Sequence, residues 1–186
     1  MLAYIPQNHA PVFDYSVLDM VLMGTNRTIP LFGGPGNREK QLARWALARV
    51  GAQMLEDRNY RHLSGGQQQL VLIARALAQR SRILLMDEPT ANLDYGNQLR
   101  VLDCVCSLAD RGYTVLLSSH NPQHALWYGD RVLALDAGNI VAYGPPESVL
   151  NAKLLQRLYG VDAELIGDEK SRVILPLHIK EMEAMK

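Results

Sequence analysis

A chain of 186 residues, 48% of them hydrophobic and 20% charged, can bury a substantial core in one domain, with room for a small appendage. Its 19 basic and 19 acidic residues cancel, which excludes a broad electrostatic surface for nucleic acid or anionic lipid as the basis of function. The longest apolar runs are strand-length, short of the roughly 18 residues a membrane span needs, and Met1-Leu2-Ala3-Tyr4 lacks the basic start of a secretory leader, so neither a pore nor a signal peptide is expected.

In chain order, Leu2-Ala3-Tyr4-Ile5-Pro6-Gln7 reads as a strand end entering a loop, and Gln7 alone reads as a polar loop residue. Ser16 is placed to cap a short helix carrying Val17, Met20, Val21 and Leu22, with Gly24 as its stop. Pro30, Gly33, Gly34, Pro35 and Gly36 predict a loop over 25–37. That loop is no phosphate cradle, because no Gly-Lys-Ser/Thr follows it and Pro35 removes a donor. A helix is predicted over 39–50, with Leu42, Trp45, Ala46 and Arg49 at spacings of three and four, Trp45 as a packing residue, and Gly51 as the end.

Ser64-Gly65-Gly66 combines an N-cap candidate with two small residues, and Leu70, Ile73, Ala74 and Leu77 follow at helical spacing. The bare N-terminus of such a helix suits an anion, since backbone N–H groups and the helix dipole both face it. Ile83-Leu84-Leu85-Met86 has the pattern of a parallel strand buried on both faces, and Asp87 and Glu88 follow where open α/β sheets place their ligands. One carboxylate can hold a hard cation and the other can orient or deprotonate a water; the plainer reading is a solvated acidic turn.

Beyond Asp94 a helix carries Leu99, Leu102, Val105 and Ala109. Cys104 and Cys106 point in different directions on it, as small buried or half-buried thiols suited to a reducing cytosol rather than a disulfide or metal site. Residues 113–119 form a second buried-strand candidate with His120 at its tip, which by itself reads as structural. A hairpin is expected over 131–143 around a turn at 136–139, then a helix over 147–159, then a hairpin within 163–177 around Gly167-Asp168-Glu169-Lys170, with a frayed end at 178–186.

Taken together and in this order, residues 63–94, LSGGQQQLVLIARALAQRSRILLMDEPTANLD, resemble the nucleotide-binding subunit of an ATP-binding-cassette (ABC) transporter. The resemblance makes 63–67 the LSGGQ signature, 83–87 the Walker B strand, Glu88 the catalytic glutamate and Ala91-Asn92-Leu93-Asp94 the D-loop. By the same resemblance Gln7 is the Q-loop glutamine, reaching magnesium and the attacking water, and His120 is the switch histidine at the terminal phosphate. Asp87 would hold Mg2+ with Gln7, while Ser64, Gly65, Gly66, Gln67 and Asp94 would face ATP held by a second nucleotide-binding subunit in a head-to-tail dimer.

The fold this implies is α/β: a partial P-loop NTPase-like parallel sheet, an inserted helical subdomain and a small C-terminal hairpin region. Its expected parts are a strand end and Q-loop (1–11), a helical signature subdomain (12–80), a Walker B and switch portion (81–160) and an appendage (161–186). Transmembrane permease subunits are the implied partners, nucleic acid is not, and the implied location is the cytoplasmic face of the membrane. Tyr15-Ser16-Val17-Leu18-Asp19-Met20-Val21-Leu22-Met23-Gly24, with Gly144-Pro145-Pro146, is similar to importers of iron-siderophore, haem, cobalamin or oxyanion cargo. No GxxxxGKS/T Walker A motif occurs in the 186 residues, which sets the expectation of a truncated or mis-started chain. The alternative is a non-catalytic half-site subunit that lends only its signature face.

Overall fold

The computed structural model describes residues 2–7, 13–28, 34–168 and 172–179. Asn8, Pro30, Gly33, Glu169, Lys170 and the charged end from 180 lie outside the described residues. The chain divides into two units, 1–118 and 119–186.

The first unit is built on a parallel sheet ordered β1 (Leu2–Ile5), β2 (Ile83–Met86), β3 (Thr114–Leu117). Its register aligns Leu2 with Ile83 and Thr114, and Ile5 with Met86 and Leu117, so the three C-terminal ends finish level. Ala3, Ile5, Leu84 and Met86 are buried in the core. On the opposite face Leu2, Tyr4 and Ile83 are exposed and Leu116 is 62% exposed, so the expectation of strands buried on both faces is corrected. Among the described residues of this unit the helices pack against the face that carries Ala3, Ile5, Leu84 and Met86.

The core gathers around α3 (Gly65–Ala78), which packs against α1 (Val17–Leu22), α2 (Asn37–Arg49), α4 (Tyr95–Ala109) and β1. Its Ala74, Ala76 and Ala78 let these neighbours approach closely. Ser16 caps α1 with a capping box: its hydroxyl accepts the Asp19 N–H at 3.1 Å. The first N–H groups of α1 are satisfied from the 56–60 segment, Val17 donating to the Arg58 carbonyl and Leu18 to that of Glu56, both at 2.9 Å. Gly24 does not stop the chain's coiling, which continues as a 3-10 turn through Met23–Thr28. Trp45 lies 39% exposed beneath the Arg49 guanidinium, 5.3 Å from its ring centre, rather than in the core, which takes Ala43, Ala46 and Leu47 from α2.

Tyr60 is 1% exposed within this core, and burial pushes its phenol from 10.0 up to about 12 against the lowering influence of Arg75. A folded-state pKa above the unfolded one means stability that is complete below pH 10 and lost as pH rises towards 12. Denaturant titrations should therefore show stability falling by up to about 3 kcal/mol across that window, and Tyr60→Phe should flatten this part of the pH profile.

The second unit opens with α5 (Pro122–Tyr128), followed by an antiparallel hairpin of β4 (Val132–Asp136) and β5 (Asn139–Gly144). Ala137 and Gly138, both at positive φ, form its two-residue turn. The single helix expected over 147–159 is two, α6 (Pro146–Val149) and α7 (Ala152–Tyr159). Asn151 interrupts it: extended at φ −141°, it caps α7 by accepting the Leu154 N–H at 3.0 Å. The second expected hairpin is present as β6 (Val161–Ile166) and β7 (Val173–Ile179). Side chains one turn apart on α5 hold β7: Trp127 Nε1 donates to the Arg172 carbonyl at 2.9 Å, and Gln123 Oε1 accepts the Ile174 N–H at 2.8 Å. Cys104 and Cys106 of the first unit are half-buried thiols that form no disulfide, burial pushing Cys104 up to about 11.

Candidate functional site

Because β1, β2 and β3 end level, the residues just past each of them meet. Gln7 follows β1, Asp87 and Glu88 follow β2, and Ser118 follows β3. The ladder continues one step into this cluster, with the Asp87 N–H on the Ile5 carbonyl at 2.9 Å and the Ser118 N–H on the Met86 carbonyl at 3.0 Å. Gln7 Nε2 then donates to Glu88 Oε2 at 3.2 Å, the Tyr4 hydroxyl to Asp87 Oδ2 at 3.3 Å, and the Ser118 hydroxyl to Asp87 Oδ1 at 2.8 Å. The Ser118 hydroxyl also accepts the Glu88 N–H at 2.8 Å. Desolvation, then the neighbouring Asp87 carboxylate, pushes the Tyr4 phenol above its ordinary value.

Two of these groups, Tyr4 and Ser118, went unmarked in the sequence. Both become visible once three parallel strands are aligned by their C-terminal ends. Glu88 has φ +43°, a left-handed backbone unusual for a side-chain-bearing residue, which turns the chain sharply after β2.

The signature lies at the N-terminus of α3. Ser64 caps that helix, the Gln67 N–H reaching its hydroxyl at 3.4 Å while the Gln67 side-chain Oε1 accepts the Ser64 N–H at 3.1 Å. Gly65 is exposed and Gly66 buried. A Cβ on Gly66 would lie 2.6 Å from the Asn97 side chain, so Gly66 also serves close packing against α4, whereas one on Gly65 would meet only the tip of the Leu93 side chain, at 2.9 Å. Asp94 caps α4, its Oδ1 accepting the Asn97 N–H at 2.9 Å and its Oδ2 the Asn97 side-chain amide at 2.6 Å. Those bonds hold its carboxyl below the usual range. Asn97 thus joins Gly66 to Asp94.

His120 is exposed and belongs to the second unit. That unit also carries a groove of about 460 Å³ lined by Tyr143, Lys153 and Arg157 among others, which holds none of the predicted site residues. Among the described residues no helix is long and apolar enough to cross a membrane.

Level strand ends that gather an amide, two carboxylates and a hydroxyl, beside helices that pack on the same parallel sheet, make an α/β domain with a polar cluster where such sheets place their ligands. The family model described as "ABC transporter" matches residues 1–91. An uncharacterized ABC transporter ATP-binding protein of Haemophilus influenzae is 39% identical over 165 residues, covering 89% of this chain and 63% of that protein. A hemin import ATP-binding protein of Burkholderia thailandensis is 38% identical, covering 94% of this chain and 68% of that one. The solved inward-facing conformation of a putative metal-chelate type ABC transporter aligns with a TM-score of 0.86 at 32% identity, over 95% of this chain and 72% of that chain. This chain belongs to the ABC transporter ATP-binding family, and it spans about two thirds of the length of these curated relatives.

Proposed function

We propose that the chain is an ATP-binding and ATP-hydrolysing subunit, or part of one, that energises an ABC importer whose cargo is a metal chelate. The observation that carries this reading is the convergence of Gln7, Asp87 and Glu88 at level strand ends in a chain whose α3 begins with a capped LSGGQ. Asp87 and the Gln7 carbonyl offer oxygen donors of the kind a hard magnesium ion takes, and Glu88 stands beside them to polarise water. Bound Mg2+ would neutralise charge on the transferring phosphates, leaving the protein chiefly to position the reactants. In this reading His120 contacts the terminal phosphate. Ser64, Gly65, Gly66, Gln67 and Asp94 face nucleotide across a dimer with a second nucleotide-binding subunit.

No GxxxxGKS/T lies in the 186 residues, so in this reading they do not themselves supply the loop that grips the phosphates. The strand end and Q-loop (1–11), helical signature part (12–80), Walker B and switch part (81–160) and appendage (161–186) are successive pieces of one subunit that docks permease subunits at the cytoplasmic face of the membrane. Relatives named for hemin and petrobactin import support the cargo class, while others are named for manganese transport.

The test is a map of divalent-cation binding by NMR, with Mn2+ standing in for Mg2+. The amide signals of Gln7, Asp87 and Glu88 should broaden first, and Asp87→Asn should weaken the effect by about tenfold, or about 1.4 kcal/mol. Broadening centred on other carboxylates, such as Glu56 and Asp57, overturns the assignment.

A further inference from the structure

We propose that Ser118 is a positioning residue whose single hydroxyl sets Asp87 and Glu88 as one unit. The proposal rests on the reading of those two carboxylates as the cation-holding and water-directing groups.

A serine hydroxyl has one proton to give and lone pairs to receive. The Glu88 N–H, 2.8 Å away, can only donate, so it takes a lone pair, and the Ser118 proton is directed at Asp87 Oδ1, also 2.8 Å away. One atom therefore fixes the backbone of Glu88 and the carboxylate of Asp87 together. The backbone it fixes is the strained one, since Glu88 sits at φ +43°, and a hydrogen bond to its N–H helps hold that turn. Asp87 is gripped from both flanking strands, Oδ1 by Ser118 beyond β3 and Oδ2 by Tyr4 of β1. Neither oxygen can swing without losing a partner.

The hydroxyl is dispensable to the sheet. Ser118 lies one residue past the last register pair, Met86 with Leu117, its side chain is exposed, and its ladder bond to the Met86 carbonyl uses the backbone. A serine kept for folding alone would not need this bridge.

Hydrogen exchange on the chain, without nucleotide, reads the bridge directly. In Ser118→Ala the Glu88 amide should exchange at least about tenfold faster, while the Asp87 and residue-118 amides, held by the Ile5 and Met86 carbonyls, keep their rates. Ser118→Thr, which retains the hydroxyl, should restore slow exchange at Glu88. In the native assembly the alanine variant should lose turnover number with little change in KM for ATP, and threonine should recover it. Unchanged exchange at Glu88 in the alanine variant, or acceleration spread evenly along β2, overturns the proposal. Should the alanine variant fail to fold, Ser118→Cys replaces it, a near-isosteric weak donor: acceleration confined to Glu88 supports the bridge and uniform acceleration overturns it. Because exchange needs no ATP, the bridge stands or falls separately from the ATPase reading.

Discussion

Gly24→Ala should lower the melting temperature by roughly 6–12 °C, corresponding to a loss of about 3 kcal/mol or more. A Cβ built on Gly24 meets the Arg75 carbonyl oxygen at 2.2 Å, its carbonyl carbon at 3.1 Å and the Ala78 Cβ at 3.2 Å. The obstacle is the backbone of α3, the helix around which the first unit's core is packed, so no side chain can rotate away to relieve it. To admit one methyl group the 3-10 turn at Met23–Thr28 must lift off α3 and carry α1 with it, although Val17, Met20 and Val21 are all fully buried. Gly34→Ala is the matched control: a Cβ there has no atom within 4 Å, and the change should stay within about 0.5 kcal/mol. Thermal melts of the two variants separate a close backbone approach from a general preference for glycine in loops.

That role of Gly24 was not legible in the sequence, where it reads as a helix stop, because the clash is with residues 51 and 54 positions further on. What the sequence does show is local or periodic. Ser16 and Ser64 announce their helices through capping boxes made within four residues, and Gly138 within Asp136-Ala137-Gly138-Asn139 announces a tight hairpin, although Ala137 also takes a positive φ that alanine disfavours. The compound order of LSGGQ, apolar strand and Asp-Glu marks the family, which the relatives bear out. Pairing across long separations is what stays hidden. Ser118 lies 31 residues from Asp87, and Tyr4 lies 83, so nothing near either one says that its hydroxyl ends on a carboxylate. The two-faced burial expected of Ile83-Leu84-Leu85-Met86 is seen on one face, where Leu84 and Met86 are buried, while Ile83 is exposed in a chain that spans about two thirds of its relatives' length. Asn151 broke a predicted helix: its side chain competes with the backbone only when the chain is free to turn there.

The second large effect is expected at Glu88, which carries the central claim that the strand-end cluster directs water at a phosphate. Glu88 Oε2 already accepts a hydrogen bond from Gln7 Nε2 at 3.2 Å, so a glutamine in its place keeps size and neighbours while losing the charge that polarises water. Losing a positioned general base lowers rate by about 10²- to 10⁴-fold and leaves ground-state binding nearly unchanged. Ser64→Arg is the companion, because it places bulk and positive charge at the capped start of α3 and tests the proposal that this face meets the opposite nucleotide. The deciding measurement is steady-state ATP turnover by the native assembly carrying wild-type chain or Glu88→Gln, with ATP binding measured alongside. The account predicts a fall in turnover of at least about a hundredfold with ATP affinity unchanged within about twofold. Turnover above half the wild-type rate in Glu88→Gln, with Ser64→Arg alone abolishing it, would contradict the account and leave the chain as a donor of the signature face.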